Sequence, residues 1–170
     1  GYPLNFWTAD DPRIVQTIEY LLKNHMINGG FFHDMSHSGI NPYLTLAIAQ
    51  VLLKNQDGRY ADLLRSIQHL ATPTGQWPEA VHPQTLGGCM GDGHHVWASA
   101  EWVMMIRNCF VREETEKLIL CSGLLPEWLG ENGEASFGKT PTPYGDIQLH
   151  LHKQGPAVTV TWQGDWTKDA

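Results

Sequence analysis

Between Pro78 and Gly93 the chain carries Pro78, Pro83, Gly87, Gly88, Gly91 and Gly93. These cannot all sit inside one helix or one strand, because proline removes a donor and glycine weakens regular structure. The stretch from Thr74 to Glu101 therefore begins as a loop. It then runs into an apolar segment, VWASAEWVMMI, that reads as a helix. The same stretch gathers Glu79, His82, Asp92, His94 and His95, with Trp77 and Trp97 beside them. A carboxylate held between aromatic side chains in a stiff polar loop suits a sugar site. The rest of the chain is read around it.

Asp11-Pro12 and Asn41-Pro42 are each a capping side chain followed by a proline at the first helical position. After the first, Ile14, Ile18, Leu21 and Leu22 fall on one face, predicting an amphipathic helix to about Asn24. After the second, Leu44, Ala47, Ile48, Val51 and Leu52 mark a helix apolar on most sides, so a buried one. Tyr60, Leu63, Leu64, Ile67, Leu70 and Ala71 give a third, one-faced helix. A fourth spans about Gly93 to Val111. Val96, Trp97, Ala100, Val103, Met104, Ile106 and Phe110 leave it few polar positions, so it too is expected to be buried. Phe31 to Ile40 reads as a loop carrying His33, Asp34 and His37.

Past Glu114 the texture changes. Thr140 to Gly145 is rich in proline and excludes helix. Ile147, Leu149 and Leu151 alternate with polar residues, and so do Val158, Val160 and Trp162 across a Gln154-Gly155-Pro156 turn. That is an antiparallel hairpin with one buried face. The fold class expected is mainly α with a C-terminal β unit: helical hairpins over 1–115, then a small antiparallel β unit of three to five strands over 116–170.

Lys plus Arg is 11 and Asp plus Glu is 18, a formal net charge of −7. That balance opposes nucleic acid or an acidic membrane surface as partner. Seven tryptophans supply more flat apolar area than a core this size uses, and sugar rings stack on such faces. Cys89, Cys109 and Cys121 are an odd, dispersed set, read as free thiols rather than a disulfide framework or metal knuckle. Metal is not expected. His33 and His37 lie among helix breakers, and His94 and His95 are adjacent, so their side chains diverge on a helix. Neither a serine nucleophile elbow, a phosphate loop nor a dinucleotide fingerprint occurs, so no cofactor is expected.

The segments GQWPEAVHP, GDGHHVWASAEW and TPTPYGDIQLHLH, in that order after alternating outer and inner helices, resemble the C-terminal end of the six-hairpin (α/α)6 glycosidases. The α-L-rhamnosidase-like and glucoamylase-like branches are the nearest. The resemblance implies a piece of an α/α toroid, about four helices in two hairpins, belonging to a longer chain that supplies the other hairpins. It implies a glycoside hydrolase in which Glu79 is the general base and the general acid lies on an earlier hairpin, so that this piece alone is inactive. After Glu79 the chain reads Ala80-Val81, where those enzymes carry Glu-Arg-Trp or Glu-Gln.

Substrate contacts fall to Trp77, His82, His33, Asp34, His37, Asp92, His94, His95 and Trp97. Asp92 before Gly93 also reads as a helix cap. Glu101 and Arg107 lie on the fourth helix, Glu101 on its buried face as a support for the site. The alternative class is a non-catalytic carbohydrate-binding or barrel-closing module. Two apolar inner helices without neighbours would also leave a patch that favours self-association.

Overall fold

The structure, a computed structural model, describes residues 2–35, 38–91 and 93–167. Helix makes up 34% and strand 31%, so the fold is α/β and not mainly α. Two compact units divide the chain, Gly1–Asn108 and Cys109–Ala170.

The first unit holds α1 (Pro12–Asn24), α2 (Pro42–Lys54), α3 (Arg59–His69) and most of α4 (Val96–Phe110) together with a sheet of short strands, which α1, α2 and α3 contact. Both cap-plus-proline starts operate as the sequence predicts. Asp11 Oδ1 accepts from the Arg13 amide at 2.9 Å, and Asn41 Oδ1 accepts from the Leu44 amide at 3.1 Å. Each satisfies a donor that the first helical turn leaves unpaired. The buried Asn41 cap is worth about 1 kcal/mol. Helix α2 is interior: Leu46, Ala49 and Leu53 are inaccessible to solvent, beside Leu64 and Ile67 of α3. Helices α2 and α3 are the most closely packed helix pair.

The sheet is what the sequence reading left out. Strands β1 (Met26–Ile27), β2 (Gly30–His33), β3 (Gly39–Ile40), β4 (Ala80–Val81) and β5 (Gly88–Met90) form one antiparallel sheet in chain order. Two stretches read as loops are therefore partly strand. Segments of two to four residues are too short to display a period of two, and glycine at three of them reads as a break. Pairing across the chain makes them strands: Ile40 sits opposite Val81, both fully buried. This sheet overturns the expected slice of an (α/α)6 toroid built from two helical hairpins.

Helix α4 departs from expectation as well. Val96, Trp97, Val103 and Met104 are exposed, while Ala98, Glu101, Met105 and Asn108 are buried. Its inner face is set by packing, not by where its apolar residues are densest. Asn108 Nδ2 donates to Gln50 Oε1 of α2 at 3.0 Å inside the core.

In the second unit, β6 (Val111–Glu114) pairs with β7 (Lys117–Leu120). A 3-10 turn at Pro126–Leu129 follows. Then β8 (Glu134–Thr142), β9 (Gly145–Gln154) and β10 (Ala157–Trp166) form a sheet of order β10-β9-β8. The expected hairpin is β9–β10, paired without a slip from Ala157 opposite Gln154 to Trp166 opposite Gly145. Ile147, Leu149 and Leu151 are buried as their alternation predicts, packed with Leu125 and Leu129 in the unit's core. Across the hairpin Val158 and Trp162 are exposed. Like β8, β10 is an edge strand, with a neighbour on one side only. Phe110 stacks on Phe137, centroids 4.6 Å apart, and on Trp128.

Candidate functional site

The residues singled out in the sequence separate into three groups. Trp77 is 3% exposed and belongs to the core. Its Nε1 donates to the Ile67 carbonyl at 2.8 Å, and its ring lies 5.1 Å from that of Trp102. No face is left for a ligand. His82 builds a turn: its Nδ1 accepts from the amides of Gln84 and Thr85, and its backbone bonds Gly87 and Leu86. His33 stands at the end of β2 with its ring 6.4 Å from Phe31, and Asp34 beyond it is exposed. His37 and Asp92 lie outside the described residues.

Glu79 occupies the approach to β4 between buried Pro78 and Ala80, and is itself half-buried. Its amide donates to the Met90 carbonyl at 3.1 Å. Gly91 lies against it with φ +75°, and a methyl group there would come within 3.0 Å of the Glu79 Cβ. The backbone that presents this carboxylate is thus held on two sides.

The third group converges. The Trp97 indole stacks on the Tyr43 ring, centroids 4.4 Å apart and planes 24° apart. His95 lies 5.1 Å from Tyr43 and 6.5 Å from Trp97. One indole face is thus covered by Tyr43, yet Trp97 remains 54% exposed. One turn along the helix, Glu101 Oε1 accepts from Trp97 Nε1 at 3.3 Å. Glu101 Oε2 accepts from the Tyr2 hydroxyl at 2.6 Å. A carboxylate 8% exposed needs such partners. Burial first, then the hydrogen bond to Glu101 and its negative charge, push the Tyr2 phenol well above the usual tyrosine range.

Local structure places the group. The His95 amide donates to the Trp77 carbonyl at 2.9 Å, which pins the entry of α4 to the loop. His95 Nδ1 accepts from the Ala98 amide and caps the helix. With Nδ1 engaged by that amide, Nε2 is the ring nitrogen left to meet a ligand. His94 Nε2 lies 3.3 Å from Gln76 Nε2 at the margin. So His95 and Trp97 come together with Tyr43 at the outward start of α4, while His94 turns to Gln76.

Sequence reasoning missed Tyr43 and Tyr2. Tyr43 follows the capping proline of α2 and looks like any first-turn residue. Tyr2 lies 99 positions from Glu101, and no local signal links them. The arrangement offers a flat aromatic face with an imidazole ring at its border, and the buried Glu101 carboxylate holds the indole edge from beneath. That combination fits a ligand with an apolar face and a polar rim. Among the described residues, no three of His, Cys, Asp or Glu are grouped so as to hold a metal ion, and no helix is long and apolar enough to cross a membrane.

No protein-family model matches this chain, and no curated protein or solved structure matches it.

Proposed function

We propose that this chain binds neutral carbohydrate on the shelf formed by Trp97 and Tyr43. The observation that carries the reading is the exposed indole face of Trp97, backed by Tyr43 and held at its edge by Glu101. A pyranose presents C–H groups on its face and hydroxyls around its rim. The indole takes the face, and His95, 6.5 Å from it, meets the rim. Backing by Tyr43 fixes the indole before binding, which lowers the ordering cost of association. The acidic balance of the chain, −7, favours a neutral glycan over a polyanionic one.

Isothermal titration of the chain with a panel of cello-, malto- and xylo-oligosaccharides tests the reading. Binding to at least one of them should weaken tenfold or more in Trp97→Ala. Equal binding by the variant, or silence across the panel, sinks it.

A glycoside hydrolase is the second reading, with Glu79 as general base. Its support is the fixed backbone of Glu79 between buried Pro78 and Ala80, bonded to Met90 and backed by Gly91. Hydrolysis needs a second carboxyl group at roughly 5–9.5 Å, which this reading assigns to a longer natural chain. In the complete natural protein, Glu79→Gln should abolish turnover of aryl glycosides and leave sugar binding intact. Turnover that survives the change removes Glu79 from the role.

A further inference from the structure

A second aromatic surface lies in the C-terminal unit, far along the sequence from Trp97. Trp162 and Trp166 sit four residues apart on β10. With Gly164 between them, all three occupy one face of the strand, since side chains alternate with a period of two. Both indoles are open to solvent, Trp162 57% and Trp166 42% exposed. They line a cleft of about 230 Å³ together with Leu118, Leu120, Tyr144 and Lys117.

Gly164 decides how the surface is shaped. A methyl group there would lie 2.1 Å from Cζ2 and 2.2 Å from Cε2 of Trp166. The Trp166 indole therefore lies down on the bare backbone of residue 164, filling the space that any side chain would take. One face rests on the strand and the other is offered outward, next to Trp162. Glycine within a strand commonly marks a close approach of this kind. The rim is polar: Lys117 is exposed, its ammonium 3.5 Å from Glu114, and Glu116 borders the cleft.

From this geometry we infer that the C-terminal unit carries its own binding platform for a neutral oligosaccharide. Two indoles in succession along a strand suit a short chain of sugar rings better than one ring. The hydrophobic sides of consecutive rings lie on Trp166 and Trp162, and hydroxyls at the border meet Lys117, Glu116 and the Tyr144 hydroxyl. The platform does not depend on the Trp97 shelf, because every residue in it belongs to the unit beginning at Cys109.

The test follows the indole N–H resonances of the intact chain by two-dimensional NMR, with cellohexaose, maltohexaose and xylohexaose as probes at up to about 10 mM, sufficient for dissociation constants near 1 mM. The Trp162 and Trp166 signals, assigned by single substitution, should shift saturably with at least one probe. They should do so equally in a Trp97→Ala background, which separates this platform from the shelf on α4. Trp162→Ala should weaken the response of Trp166 at least tenfold.

Gly164→Ala should do the same, because the added methyl lifts the indole from the strand. Both side chains being exposed, that variant should keep its fold, checked by its amide spectrum. Three results overturn the inference: no shift with any probe, an unchanged affinity in Gly164→Ala, or indole shifts that track protein concentration without sugar. The last would mark β10 as a contact between copies of the chain.

Discussion

Trp97 and Tyr43 are 54 positions apart, yet their rings stack at 4.4 Å. Such a pair is worth about 0.5–1.5 kcal/mol beyond its area. Trp97→Ala loses that term, some buried area and one hydrogen bond to Glu101, so in urea denaturation it should cost less than the about 3–5 kcal/mol of a fully buried tryptophan, while its effect on carbohydrate affinity exceeds tenfold. Trp97→Tyr, which keeps a flat ring, should recover part of the affinity. A variant that loses stability and affinity in proportion would make the stack a packing feature only.

Trp77 should behave in the opposite way. It is buried and hydrogen-bonded to Ile67, so Trp77→Ala should destabilise the fold by about 3–5 kcal/mol. Thermal and urea unfolding measure this directly. A change below about 1 kcal/mol would show that the indole is not part of the core.

Tyr2 gives the Glu101 site a dependence on alkaline pH. Its folded pKa is raised, chiefly by burial, above the value near 10 expected unfolded. The stabilisation is then fully present below about pH 10 and is lost as pH rises from there toward the folded value. In the difference between the ultraviolet titrations of the chain and of Tyr2→Phe, one phenol should ionise late. Glu101→Gln should bring that step only part of the way down, because burial remains the largest cause. A step at the ordinary position would remove the buried tie between Tyr2 and Glu101.

Gln50 and Asn108 form a buried polar pair, and Gln50 Nε2 has no partner among the described residues. Removing one member leaves the other desolvated and unanswered, which costs about 1–3 kcal/mol. Asn108→Leu should be destabilising, and the double change Gln50→Leu with Asn108→Leu should regain much of the loss. A double-mutant cycle in urea measures the coupling. Strictly additive effects would show that the pair does not interact.

The three thiols should react in order of access. Cys89 is exposed, Cys121 is intermediate and Cys109 is buried. Burial pushes the Cys109 thiol up to about 12, so at pH 8 only about one in ten thousand is thiolate. It also raises Cys121. With a disulfide reagent on the native protein, Cys89 should react first and Cys109 only on unfolding. Prompt labelling of Cys109 would contradict its burial.

The helices and the long hairpin were legible because their signals are local. Asp11-Pro12, Asn41-Pro42 and the spacing of apolar residues in α1 to α3 act within one or two turns. The alternation of Ile147, Leu149 and Leu151 acts within one strand. The N-terminal sheet was not legible, since Ile40 becomes a strand residue only by meeting Val81. Its absence from the sequence reading made the chain look mainly helical, and so made it look like a slice of a helical ring.

The candidate shelf was half legible. Its Trp97, His94 and His95 stood out as an aromatic and imidazole cluster at a helix start, and of these Trp97 and His95 converge. Tyr43 and Tyr2 did not stand out, and Trp77, equally conspicuous in the sequence, went to the core.

By itself, then, the sequence determined that there are four helices and where two of them begin, which strands alternate, and that aromatic area exceeds what a core absorbs. Only the tertiary structure decided which tryptophans are spent inside and which face outward. Residue type sets how much apolar surface a side chain brings. Whether that surface meets other residues or water depends on contacts between segments tens of residues apart, and those no local pattern records.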